Sequence, residues 1–149
     1  MTDPDEPPLA RPAVLISNRQ DAPIDEPAVR ELAAATLAGE GLDDVELSVS
    51  FVDEDEIEAL HVRYMDEPGP TDVLSFPLDD VDEGGTRVLG DVVIAPAVAA
   101  RNNPDAPAAE LRLLLVHGIL HLLGYDHEDD AGTAALWARQ ERYRGVRAP

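Results

Sequence analysis

The segment His117-Gly118-Ile119-Leu120-His121-Leu122-Leu123-Gly124-Tyr125-Asp126-His127 constrains this chain more than any other, and it holds three of its four histidines. Leu113 to Val116, Ile119, Leu120, Leu122 and Leu123 make the helix around them apolar on nearly every side, so it is expected to be the central, buried one. His117 and His121 stand one turn apart and present their imidazoles on the same helical face. Gly124 can take φ > 0, end the helix and turn the chain back. The return segment then brings His127 as a third nitrogen donor. Burying such a helix without a strong partner for its histidines would leave polar groups unsatisfied, which is costly.

Three imidazoles and one open position form the ligand set of a catalytic zinc site, where bound water ionises near neutral pH. His117, His121 and His127 are therefore expected to hold one Zn²⁺ per chain, with nickel, copper or iron acceptable to the same nitrogens. Ordinary hydrogen-bonded core histidines are the alternative, but they do not account for the glycine and the third histidine at matching offsets. The spacing H-x3-H-x2-G-x2-H is that of the metzincin zinc proteases with one change. Gly118 stands where those enzymes carry their general-base glutamate. The spacing predicts the metal cage without the protease base.

At 149 residues, one domain with a real core is expected: a disordered acidic, proline-rich tail over 1–12, a single domain over 13–144 and a short tail over 145–149. There is no cysteine, which excludes a disulfide framework and a thiolate metal site. The first residues are acidic and lack an apolar stretch, and no segment approaches the length of a membrane span. A soluble cytoplasmic protein with no membrane partner is expected. The formal charge is −20, and all eleven basic residues are arginine. Such a chain repels polyanions on average, which argues against a broad phosphate-binding surface but leaves room for a local arginine-lined cleft.

Taken in order, Val14 to Asn18 reads as a strand, and Pro27 to Glu40 as a helix closed by Gly39 and Gly41. Val45 to Val52 alternates and reads as a half-buried strand. Asp53 and Glu56 resemble a capping box opening a helix through Ile57, Leu60, His61 and Tyr64. Pro70 to Pro77 is a strand that leaves regular pairing at Pro77 or lies at an edge. Leu78 to Thr86 reads as an acidic loop, and Arg87 to Ala95 as an apolar strand in which Gly90 marks a bulge or a close backbone approach. A short helix from Pro96, the histidine helix from Pro107, and a last helix carrying Ala134, Leu136, Trp137 and Tyr143 complete the chain. The sum is an α+β single domain: a mixed sheet of about four strands packed with helices, its central buried helix carrying a zincin-like HxxxHxxGxxH site.

Three blocks make a specific resemblance: Pro70-Thr71-Asp72-Val73-Leu74-Ser75-Phe76-Pro77, Leu89-Gly90-Asp91-Val92-Val93-Ile94, and Val116 through His127. The chain resembles the YbeY family of metal-dependent bacterial endoribonucleases, in which glycine after the first histidine is the family's own form of the motif. The resemblance implies an α+β fold, a three-histidine zinc site and cleavage of single-stranded ribosomal RNA. It also implies a role near the 3′ end of small-subunit RNA, in ribosome quality control, with the ribosome or its proteins as partners. Members commonly carry an arginine shortly before the Pro-Thr-Asp block; here that position is Met65. Arg63 lies about 200° around a helix from it. Arg63, Arg87 and Arg112 are the alternatives, with Arg63 taken as the candidate catalytic arginine.

His117 is expected to serve catalysis through the metal. Asp126, beside a ligand, is expected to orient an imidazole or accept a proton from water, against a plain turn role. Ser75 reads as a structural hydroxyl before it reads as a phosphate donor. Attack by a metal-bound hydroxide and attack by the RNA 2′-hydroxyl both stay open. So do two other classes: a metalloprotease-like amide hydrolase, and a non-enzymatic ribosome-assembly factor with structural zinc. In the latter, the acidic surface would meet basic proteins, and Arg139, Arg142, Arg144 and Arg147 would touch RNA.

Overall fold

A computed structural model describes residues 12–65, 71–81, 84–125 and 138. The expected N-terminal tail up to residue 11, the last helix apart from Ala138, the C-terminal tail, and both Asp126 and His127 lie outside these residues. The described elements are β1 (Ala13–Asn18), α1 (Glu26–Gly39), β2 (Val45–Phe51), α2 (Glu54–Met65), β3 (Val73–Val81), β4 (Arg87–Ile94), α3 (Pro96–Asn102) and α4 (Pro107–Leu122). The four strands form one sheet in the order β1-β2-β4-β3. β1 and β4 flank β2 in parallel, and β3 runs antiparallel to β4, so the sheet is mixed and the fold is α+β.

Local chemistry explains most boundaries. β2 buries Val45, Leu47, Val49 and Phe51 and leaves Glu46, Ser48 and Ser50 half-buried, as its alternation requires. The Asp25 carboxylate accepts from the Ala28 N–H at 3.1 Å to start α1, with Pro27 in the first turn. Asp53 caps α2 in the same way, accepting from the Glu56 N–H at 2.7 Å. The Glu56 carboxylate is turned outward instead, receiving Arg19 Nη2 at 2.5 Å from the end of β1. Arg101 of α3 pairs with Glu54 at 2.6 Å, and its hydrogen bonds hold the Glu54 carboxyl below the ordinary carboxylate range. Both pairs are exposed, so they orient α2 more than they stabilise the fold.

β3 corrects one expectation. It continues through Leu78 to Val81, where an acidic loop was expected, because Asp80 pairs with Val88 and Val81 with Arg87. The register breaks between Pro77 and Asp80, and β3 is an edge strand, as the proline requires. Opposite the break, Gly90 has φ 137°, and a Cβ there would overlap the Phe76 carbonyl oxygen and lie 2.9 Å from the Leu78 nitrogen. No other residue fits this crossing of two backbones.

One face of the sheet carries the main core, where Val49, Phe51, Val92 and Ile94 pack with Leu32 and Leu37 of α1 and Leu115, Ile119 and Leu120 of α4. The other face carries a smaller core of Leu74 and Val93 under Ile57 and Leu60 of α2. Tyr64 of α2 also meets Phe76 of β3 edge to face, ring centroids 5.4 Å apart. Among the described residues, no helix is long and apolar enough to cross a membrane.

Candidate active site

α4 packs against β3, β4, α1 and α3. It buries Leu114, Leu115, Val116, Gly118, Ile119 and Leu120 and leaves Pro107 and Ala108 exposed and His117 and His121 half-buried. Its burial is thus one-sided rather than all round, with the histidines on its less buried side.

Gly118 sets how close the helix lies. A Cβ there would sit 2.6 Å from Val92 Cγ1, 3.2 Å from Val73 Cγ2 and 3.4 Å from Ser75 Oγ. The position therefore points at the sheet, and only a residue without a side chain lets α4 reach it. The Ser75 hydroxyl donates to the Gly118 carbonyl oxygen at 2.8 Å, clamping β3 to the helix. This is the structural role expected of Ser75. Ser75→Ala should lower stability by about 1 kcal/mol, read from the urea midpoint, and change RNA cleavage less than about threefold.

The imidazoles of His117 and His121 lie together, ring centroids 4.4 Å apart and planes at 48°. They line a cleft of about 330 Å³ with His61, Thr71, Val73, Leu74 and Ser75. No carboxylate lines it among the described residues. In a chain of charge −20, the cleft is a local exception, walled by imidazoles and hydroxyls. Two half-buried imidazoles on one helical face fit two nitrogen ligands of a divalent ion. His61 does not complete the set: among the described residues, no three His, Cys, Asp or Glu side chains are grouped so as to hold a metal. The third expected ligand, His127, lies outside them, as does Asp126.

The helix ends as its sequence predicts. Gly124 has φ 101°, its N–H bonds the His121 carbonyl at 3.0 Å, and the Tyr125 N–H bonds that of Leu120 at 3.1 Å. This pair of bonds is the Schellman arrangement, and it reverses the chain just before Asp126 and His127.

The arginines sit elsewhere. Arg63 is exposed on α2 with its guanidinium carbon 5.2 Å from the Tyr64 ring centroid, and it does not line the cleft. Arg87 is exposed at the start of β4, and Arg112 lines a separate apolar groove between α1 and α4. The residue α2 contributes to the cleft is His61, which the sequence reading passed over. A signal was present: His61 follows Ile57 by one turn and adjoins Leu60, both on the sheet-facing side, where a histidine is out of place unless it has work there.

The family described as endoribonuclease YbeY matches residues 15–145. The chain belongs to the YbeY family. It is 42% identical over 138 residues to the endoribonuclease YbeY of Streptomyces coelicolor, covering 84% of each chain. It is 47% identical over 124 residues to that of Thermobifida fusca, covering 76% of this chain and 80% of the relative. The solution structure of TM1509 from Thermotoga maritima superposes with a TM-score of 0.59 at 30% identity, over 88% of this chain and 86% of that one.

Proposed function

We propose that this protein is a zinc-dependent, single-strand-specific endoribonuclease of the cytoplasm. Its proposed work is ribosomal RNA maturation at the 3′ end of small-subunit RNA, and ribosome quality control. The endoribonuclease name of its relatives supports the activity. The observation that carries the chemistry is the imidazole pair on α4, ring centroids 4.4 Å apart, lining a cleft to which the described residues bring no carboxylate.

In this reading His117 and His121, joined by His127 from beyond the α4 turn, hold the ion. Zinc bound there supplies a Lewis acid and, at neutral pH, a hydroxide. Asp126 orients a ligand imidazole or takes up a proton. His61, which α2 brings to the cleft, donates to a phosphate oxygen of the strand, while the Thr71 hydroxyl donates to the Val73 carbonyl at 3.5 Å. Ser75 is occupied in holding α4. A cleft of about 330 Å³ is at the small end for a ligand site, which suits one backbone linkage of an unpaired strand. An amide hydrolase reading lacks its general base, because position 118 faces the sheet.

The test is metal analysis joined to cleavage of single-stranded and duplex RNA, with and without chelator. About one zinc per chain, cleavage of the single strand only, loss on chelation and recovery with zinc are expected. Products lacking a 2′,3′-cyclic phosphate would assign hydroxide attack, and cyclic ends the 2′-hydroxyl. Cleavage unaffected by complete metal removal would overturn the reading. Zinc bound without cleavage would favour the assembly-factor alternative.

A further inference from the structure

The block Leu89-Gly90-Asp91 puts a carboxylate in the middle of the sheet, because β4 lies between β2 and β3. Alternation turns Asp91 and Val93 to the face that carries α2, away from Val92 and Ile94. Val93 is buried there, but Asp91 is exposed, and its carboxylate makes no hydrogen bond among the described residues. Around it lies a hollow of about 420 Å³, lined also by Arg19, Ser50, Leu60, Tyr64, Phe76 and Val93.

The walls of this hollow differ in chemistry. Phe76 stands directly opposite Asp91 in the β3–β4 register, which sets their Cβ atoms about 5 Å apart. Tyr64, 55% exposed, meets the Phe76 ring edge to face, and Leu60 and Val93 complete an apolar corner. On the polar side, Arg19 gives Nε and Nη2 to Glu56 and turns Nη1 toward Ser50 Oγ, 3.5 Å away. The hollow also adjoins the histidine cleft. α2 gives Leu60 and Tyr64 to the hollow and His61 to the cleft; β3 gives Phe76 to the hollow and Leu74 and Ser75 to the cleft. Leu74 and Phe76 are one step of about 7 Å apart on the same face of β3. An RNA strand with a phosphate in the cleft would bring a neighbouring base to the hollow.

Aromatic rings accept any base by stacking, so the polar groups have to select. An ionised carboxylate only accepts hydrogen bonds. Among the four bases, guanine alone presents two adjacent donors on one edge, N1–H and the 2-amino group, and its O6 beside them accepts from an arginine. Uracil sets a single N–H between two carbonyl oxygens, which a carboxylate repels. We propose that this hollow binds the base next to the scissile linkage and selects guanine, with Tyr64 and Phe76 stacking the ring and Asp91 accepting from N1 and the 2-amino group. The inference deepens the endoribonuclease reading above and rests on it.

The experiment measures binding of end-labelled UUGUU, UUIUU (I, inosine), UUAUU and UUUUU to the full chain by fluorescence anisotropy. Salt is held fixed, and chelator is present so that no strand is cut. The same strands are then incubated with zinc and their cut positions mapped. Wild type is expected to bind UUGUU about tenfold more tightly than UUUUU. UUIUU should fall between them, because inosine lacks the 2-amino group, and the cut in UUGUU should fall beside the guanine. Asp91→Asn, a change at an exposed position, should keep the melting temperature and lose most of the guanine preference. Tyr64→Ala should weaken all four strands alike, by about tenfold. Equal affinity of wild type for the four strands would overturn the proposal, and so would a guanine preference that survives in Asp91→Asn. Either result leaves the endoribonuclease reading intact when the strands are cut. Guanine-selective binding without any cutting would sink that reading and leave the guanine site standing.

Discussion

Gly118→Glu, which restores the residue a metzincin protease carries after its first histidine, should cost the protein its fold rather than give it a peptidase. The first added carbon would already lie 2.6 Å from Val92 Cγ1, and Val92 is fully buried. Gly118→Ala alone should cost about 1–3 kcal/mol, the usual range for overfilling a packed core. Glutamate adds a carboxylate aimed at the apolar face of the sheet, worth several kcal/mol more without a partner. Together these consume most of the roughly 5–15 kcal/mol by which a domain is stable. The expected observation is insoluble or unfolded Gly118→Glu protein and a lowered urea midpoint for Gly118→Ala. Val92→Ala removes the obstructing methyl groups, so Gly118→Ala/Val92→Ala should lose less than the sum of the single changes. A soluble Gly118→Glu protein with the wild-type midpoint would contradict the seating of α4 on the sheet.

His117→Ala should abolish RNA cleavage, by at least about a thousandfold, with the fold intact. A thousandfold corresponds to about 4 kcal/mol of transition-state stabilisation. His117 and His121 are half-buried and stand outside both hydrophobic cores, so truncating either removes little packing. Zinc content and cleavage should fall together while the circular dichroism and metal-free melting temperature stay close to wild type. Equal cleavage by the variant would mean that the activity comes from another nuclease in the preparation.

What was legible beforehand was local. The alternation of β2, the caps at Asp25 and Asp53, the turn at Gly124 and the close approach at Gly90 each follow from a few neighbouring residues. The extension of β3 was not, since Leu78-Asp79-Asp80-Val81 resembles a loop until Val88 and Arg87 of β4 come alongside to pair with it. Two donors of the candidate site could be placed from their spacing, because a helix converts a separation of four into one face. For His61 the sequence marks only the sheet-facing side of α2, and its arrival at the cleft depends on how α2 crosses β3. The hydrogen bond from the Tyr125 hydroxyl to Glu40 was hidden, because it depends on two helix ends meeting across the molecule.

The position of β4 between β2 and β3 also orders events while the chain is being made. The parallel pairing of β2 with β4 waits for α2, β3 and the turn after it, and the site waits longer still, because α4 is the last described element to be synthesised. At about 5–20 residues per second, the sheet has seconds to assemble before the helix that covers Val49, Val92 and Ile94 emerges. Until then one face of the sheet is sticky, and the imidazole pair does not yet exist. A nascent chain therefore passes through its aggregation-prone stage before His117 and His121 are in place, and the cleft they line forms only when α4 docks and closes its own core.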